Sequence, residues 1–90
     1  MAQASSEAVL VALPADVDLH ARPAADFVRT AMTFASSIQV ASGDREADAK
    51  SLLSVLALGA KGGTELRLTA TGEDADAALT AMRERVATLS

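Results

Sequence analysis

The sequence of 90 residues contains no cysteine, no tryptophan, no tyrosine and a single histidine, His20. Without cysteine, the chain forms neither a disulfide nor a thiolate zinc site. One histidine also excludes multi-histidine metal sites and haem ligation by a histidine pair within one chain. Because histidine is the side chain that ordinarily changes protonation near neutral pH, we expect any nucleophilic or acid–base chemistry to pass through His20.

Charge, aromatic content and hydrophobic runs exclude further classes. Twelve acidic residues against eight basic ones give a net charge of −4, so broad attraction to nucleic acid or anionic lipid is not expected. Two aromatic residues, Phe27 and Phe34, are too few for a base-stacking platform. No apolar run has membrane-spanning length, and residues 1–7 lack the features of a signal peptide. We expect a cytoplasmic monomer that is not inserted in a membrane, with one domain over residues 1–90 and about residues 1–7 as a flexible leader.

Hydrophobic patterning predicts seven elements in the order β-α-β-β-α-β-α. Strands are predicted at residues 8–13, 38–41, 46–48 and 65–70, with a hairpin turn at residues 42–45. These mixed elements favour an α+β fold, an open-faced β-sandwich in which a four-stranded, mainly antiparallel sheet carries three helices on one face.

Each predicted helix has its own start signal. The first begins near Pro23, and its apolar stripe comprises Ala24, Phe27, Val28, Ala31, Phe34 and Ala35. The second segment is too apolar for periodicity to distinguish helix from strand, but Ser51 as N-cap and Gly59 as a stop favour a helix. The third follows Gly72, with acidic Glu73, Asp74 and Asp76 at its start and an apolar stripe of Ala75, Leu79, Met82, Val86 and Leu89.

His20 immediately precedes the first predicted helix, whose first residues are Ala21, Arg22 and Pro23. Backbone N–H groups at a helix N-terminus lack intrahelical partners and, together with the helix dipole, favour anions. The amides of Ala21 and Arg22 would face a group on the His20 ring, and the Arg22 guanidinium would match phosphate oxygens. Since the ring lone pair is a nucleophile, these residues predict transient phosphorylation of His20. From them alone, a solvated helix cap without chemistry remains the alternative.

Two segments carry a resemblance to a known family. The run LHARPA at residues 19–24 resembles the phosphoryl-acceptor signature of HPr, the histidine-containing phosphocarrier of the bacterial phosphoenolpyruvate-dependent sugar phosphotransferase system. A second match, KSLL at residues 50–53 followed by LG at 58–59 and GT at 63–64, resembles the family's regulatory-serine helix and the strand after it. The resemblance extends over nearly the whole chain, from about Ala8 to the last helix.

The resemblance implies a phosphoryl carrier rather than an independent enzyme. In that family, enzyme I passes phosphate from phosphoenolpyruvate to a ring nitrogen of the active histidine, here His20, and the phosphohistidine donates it to the A domain of a sugar-specific permease. Arg22 would neutralise charge during transfer, and the backbone N–H of Ala21 would hold the phosphoryl oxygens. The resemblance implies no cofactor and no metal.

The second helix is the expected docking surface for these partners. A helix that is apolar nearly all round cannot bury every side in a thin α+β domain, so some of four residues should stay exposed: Leu52, Leu53, Leu56 and Ala57. Val55 and Leu58 are expected in the core, while core and surface positions both stay open for Leu53 and Leu56. In part of the family a kinase phosphorylates the serine matching Ser51, so an HPr kinase/phosphorylase is a further candidate partner.

One residue departs from the family pattern. The family usually has glycine two residues before the histidine, where this chain has Asp18, with Asp16 nearby. A positive φ is easier for glycine than for aspartate, and two carboxylates near a phosphohistidine would repel it, although water screens that repulsion. Service to a specialised branch, such as nitrogen regulation or dihydroxyacetone phosphorylation, therefore stays open beside the general sugar system. A non-catalytic α+β interaction module is the alternative from a different class.

Overall fold

A computed structural model describes residues 8–90, and the leader expected at residues 1–7 lies outside the described residues. The elements of the described part follow in the predicted order: β1 (Val9–Ala12), α1 (Ala21–Ala31), β2 (Ser37–Ser42), β3 (Arg45–Asp48), α2 (Leu52–Ala57), β4 (Glu65–Thr71) and α3 (Ala75–Ala87). The four strands form one antiparallel sheet in the order β1-β4-β2-β3, and the three helices pack on one face of it. The predicted α+β open-faced sandwich is thereby confirmed.

The sheet has one apolar face because successive side chains of a strand point to opposite sides. The register places Leu68 of β4 opposite both Val9 of β1 and Val40 of β2, and Val40 opposite Ala47 of β3. These side chains form an apolar row across the sheet, in which Leu68 and Val40 are fully buried. Leu10, the neighbour of Val9, lies on the opposite face and is 57% exposed. The helices therefore cover one face and leave the other to solvent.

Helix α1 begins at the predicted place, and the buried residues on its inner face are Pro23, Ala24, Phe27, Val28 and Ala31. The extension of its stripe to Phe34 and Ala35 is wrong. The helix ends at Ala31, Phe34 is only partly buried, and Ala35 is exposed.

The residues that follow α1 are held by Asp74, at the N-cap position of α3. The Asp74 carboxylate accepts hydrogen bonds from the backbone N–H groups of Ala35 and Ser36, each at 2.9 Å, and from the Ser36 hydroxyl. These amides are thus engaged outside any helix. The same hydrogen bonds, that of the Ser36 side chain foremost, hold the pKa of Asp74 below its usual value.

Helix α2 is short and is fixed at both ends. The Ser51 hydroxyl accepts a hydrogen bond from the backbone N–H of Ser54 at 3.3 Å, which confirms the predicted N-cap. Beyond the helix, Gly59 has a φ of +62°, a conformation that favours glycine. Val55 and Leu58 are buried as predicted, and α2 packs against α1 and β3. This packing places α2 near the start of α1.

Helix α3 buries its full predicted stripe against the sheet: Ala75, Leu79 and Met82, with Val86 and the following Leu89. None of the helices in the described residues combines the length and hydrophobicity needed to span a bilayer.

Candidate functional site

His20 occupies the N-cap position of α1 in an extended backbone conformation, with φ −92° and ψ −166°. Its carbonyl oxygen accepts the first helical hydrogen bond, from the Ala24 N–H at 2.8 Å, and its own N–H donates to the Asp18 carbonyl at 2.8 Å. The imidazole makes no capping hydrogen bond, and the residue is exposed. The backbone of His20 therefore starts the helix while its ring stays accessible, which argues against a side-chain cap.

The first turn of α1 presents backbone donors next to that ring. Ala24 is the first residue to donate an i→i−4 hydrogen bond, so the N–H groups of Ala21 and Arg22 have no helical acceptor. Pro23 has no N–H and is buried, which anchors the turn. No acidic residue lies in this turn to offset the partial positive charge of the helix N-terminus. The start of α1 is therefore suited to holding an anion carried by His20.

An open cleft of about 260 Å³ lies beside the ring, between the loop before α1 and the C-terminal end of α2. Its lining residues are Asp18, Leu19, His20, Ala21, Leu56, Gly59, Ala60 and Lys61. The cleft thus brings His20 and Ala21 together with Leu56 of the expected docking helix. Arg22 and Ser51 are not among the lining residues; Ser51 lies at the opposite end of α2.

No carboxylate within residues 8–90 is paired with the cationic side chains near His20. Arg22 is exposed, and within residues 8–90 no hydrogen bond or ion pair engages its guanidinium. Lys61 is an exposed residue of the cleft lining. Lys61 could not be predicted as a site residue, because only the fold brings the loop after α2 to His20. Across the described part of the chain, no group of His, Cys, Asp or Glu residues has an arrangement that could hold a metal ion.

Asp18 is accommodated without the backbone strain considered above. No non-glycine residue between 8 and 90 has a positive φ, so a left-handed conformation at Asp18 is excluded. Its carboxylate accepts a hydrogen bond from the Gly62 N–H at 2.7 Å. The next residue, Leu19, donates its N–H to the Ala60 carbonyl at 2.9 Å. The loop before α1 and the loop after α2 are therefore joined directly beside His20.

The expected docking residues form a small apolar surface next to the cleft. We call Leu52, Leu53, Leu56 and Ala57 the docking patch. Leu53 is 81% exposed and Leu52 40% exposed, Ala57 is exposed, and Leu56 is partly buried where it lines the cleft. Leu53 is therefore a surface residue, whereas Leu56 is partly buried and also lines the cleft.

Comparisons with known proteins identify the family of the chain. The family described as "PTS HPr component phosphorylation site" matches residues 8–88. The phosphocarrier protein HPr of Mycoplasma capricolum is 38% identical over 68 residues, covering 76% of each chain. The crystal structure of HPr-C-His from Thermoanaerobacter tengcongensis superposes with a TM-score of 0.85 at 34% identity, covering 90% of this chain and 91% of that one.

A larger protein also contains a similar segment. The multiphosphoryl transfer protein of Xanthomonas campestris is 46% identical over 65 residues, which are 72% of this chain but 8% of that protein. The match over residues 8–88, the relative of similar length and the shared fold lead to one conclusion. The chain belongs to the HPr family, the phosphocarriers of the phosphotransferase system.

Proposed function

We propose that His20 accepts a phosphoryl group from phospho-enzyme I and donates it, in the cytoplasm, to the A domain of sugar-specific permeases. The observation that carries the proposal is an exposed imidazole at the N-terminus of α1, free of any capping bond, beside two amides without helical acceptors. Membership of the HPr family supports the same role.

The proposed step exchanges one bond to phosphorus for another. The lone pair of a ring nitrogen of His20 forms a nitrogen–phosphorus bond while the bond from phosphorus to its donor breaks, and the electron pair of that bond stays on the donor. The N–H groups of Ala21 and Arg22 donate hydrogen bonds to the phosphoryl oxygens, and the Arg22 guanidinium offsets their charge. Transfer to the acceptor repeats these bond changes and regenerates the free imidazole. The chain is thus a stoichiometric carrier between larger proteins.

Both partners would use the same face in turn. Each must reach His20, so each must cover the cleft and the adjoining docking patch. Apolar exposure at Leu53 and Leu52 supports this arrangement, because desolvation of such side chains favours association without a fixed charge pattern. The exposed Arg22, two positions after His20, supplies local positive charge for a phosphorylated donor.

Ser51 remains the predicted regulatory position. Its hydroxyl is half-buried, accepts from the Ser54 N–H and donates to the Ser54 hydroxyl at 3.0 Å. A phosphate there would add about −1.5 to −2 charges at the start of α2, where the helix dipole tolerates them but the docking patch begins.

A labelling assay tests the carrier role. Incubation with phosphoenolpyruvate, Mg²⁺ and enzyme I should give one acid-labile phosphoryl group per chain, and His20→Ala should abolish it. The variant should keep its fold because the exposed ring makes no capping bond, which circular dichroism checks. Labelling that persists in His20→Ala would contradict the proposal.

A second assay separates the branches. Labelled protein is mixed with A domains from sugar, nitrogen-regulatory and dihydroxyacetone systems, and transfer to the sugar domains is expected. Transfer to one of the other classes alone would assign the chain to that specialised branch. An interaction module would instead bind its partner equally well before and after His20→Ala, with no labelling of either protein.

A further inference from the structure

The side chain of Asp18 connects the loop before α1 to the loop after α2. The Asp18 carboxylate accepts the Gly62 N–H at 2.7 Å across 44 positions of the chain. A hydrogen bond to an ionised acceptor is stronger than one between neutral groups. The contact therefore ties the residue two positions before His20 to the loop that follows α2.

The two loops fit closely at this point. A Cβ on Gly62 would lie 2.2 Å from the carbonyl oxygen of Ala15, so this position accepts no larger residue without a shift of the backbone. Further along, the Gly63 N–H is shared between the carbonyls of Leu13 and Pro14 at 3.1 and 3.2 Å. These neighbouring bonds use backbone groups alone, whereas the Asp18 bond depends on one side chain.

We propose that Asp18 is a positioning residue for phosphoryl transfer, and the proposal rests on the carrier function proposed above for His20. By holding Gly62, the carboxylate fixes the Asp18–His20 segment, whose backbone sets the start of α1. The ring and the Ala21 amide are then held in one geometry for both transfer steps. The hydrogen bond also engages the negative charge that would otherwise repel a phosphoryl group on His20.

Three variants separate this role from charge and from general structure. Asp18→Ala removes the acceptor and the charge, whereas Asp18→Asn removes the charge and keeps an acceptor oxygen. Asp16→Ala is the matched control: it removes a charge from an exposed loop position whose side chain makes no hydrogen bond within residues 8–90. Steady-state transfer from enzyme I is measured with each variant as the phosphoryl acceptor. Hydrogen exchange at the Gly62 amide is followed by NMR.

We expect kcat to fall about five- to tenfold for Asp18→Ala, since a hydrogen bond to a charged group controls the loop. KM should stay within about twofold because the docking patch on α2 is untouched. Asp18→Asn should restore kcat to within about twofold of the parent, and Asp16→Ala should match it. Gly62 exchange should be faster in Asp18→Ala alone.

Several results would overturn the positioning role. They are a kcat of Asp18→Ala equal to that of the parent, equal losses in Asp18→Ala and Asp18→Asn, or faster transfer in either variant. If Asp18→Ala does not fold, Asp18→Gly serves as the acceptor-free variant. Loss of labelling in the parent protein itself would instead remove the carrier function, so the two failures are distinguishable.

Discussion

Removing the hydroxyl of Ser51 should destabilise the protein by about 1 kcal/mol, the usual cost of losing an N-cap side chain. Ser51→Ala leaves the Ser54 N–H without its acceptor at 3.3 Å. Helix α2 has six residues and no acidic side chain in its first turn, so no other cap replaces the lost one. For a domain of about this size, 1 kcal/mol corresponds to a decrease in Tm of roughly 4–8 °C.

Urea and thermal unfolding measure the loss, and two further variants isolate its cause. Ser54→Ala removes the hydroxyl that Ser51 contacts at 3.0 Å but keeps the backbone N–H bonded to Ser51, so it should cost less than Ser51→Ala. Ser51→Asp retains a side-chain acceptor and adds a negative charge at the helix N-terminus, so it should preserve most of the stability. Unfolding of Ser51→Ala at the parent's midpoint would refute the capping argument.

The same variants separate capping from docking. Ser51→Asp should accept phosphate from enzyme I with a KM raised several-fold, because it adds charge beside the docking patch while α2 stays folded. Ser51→Ala should show the parent's KM at a temperature where both are folded. If Ser51→Asp transfers like the parent, charge at this position does not control docking; if Ser51→Ala is equally impaired, the effect is structural.

Two other substitutions test the docking patch and the hydrogen bonds of the Asp74 carboxylate. Leu53→Glu should raise the KM for enzyme I about tenfold with little change in Tm, since the side chain is 81% exposed. The matched control is Leu10→Glu, at a position that is 57% exposed on the edge strand farthest from β3. It should leave both the KM and the Tm close to those of the parent. Equal effects of both variants would exclude a localised patch. Asp74→Asn should lower Tm at pH 7, because hydrogen bonds led by that from Ser36 depress the pKa of Asp74 in the folded state. Because the pKa of Asp74 is lower in the folded than in the unfolded state, its ionised form stabilises the protein at pH values above the unfolded-state pKa. This stabilisation is lost as the pH falls through the folded-state pKa, so the Tm difference between parent and variant should shrink below about pH 4. A difference independent of pH would contradict this assignment.

Local signals in the sequence were sufficient to predict where helices begin. Pro23 marks the first turn of α1, and the pair of Ser51 and Gly59 identifies α2 as a helix although its periodicity is uninformative. These signals work because caps and stops act within one turn of the chain. The position of Ala35 outside α1 could not be predicted in the same way, because its amide is bonded to the carboxylate of Asp74, 39 positions away.

The candidate site likewise has features set by local sequence and features set by contacts between distant segments. The position of His20 at the start of α1 could be predicted, since it depends on residues within one helical turn. The exposure of Leu53 stayed open until the fold showed how α2 packs against α1 and β3. The cleft could not, because two loops that are distant in sequence form it and Lys61 enters it from the second loop. Asp18 shows the difference most directly. From the sequence, we expect backbone strain and charge repulsion at this position. In the fold, the φ of Asp18 is not positive and its carboxylate accepts a hydrogen bond from Gly62.

The net charge of −4 is compatible with the proposed phosphoryl site at His20, because the two act over different distances. At about 0.1 M salt, exposed charges farther apart than roughly 10 Å are largely screened, so the acidic residues on remote surfaces contribute little at His20. Close to the ring, Arg22 has no carboxylate partner within residues 8–90, the first turn of α1 has no acidic residue, and the Asp18 carboxylate is hydrogen-bonded. The total charge therefore limits what the protein attracts from solution. The few groups around His20 determine whether it can hold a phosphoryl group.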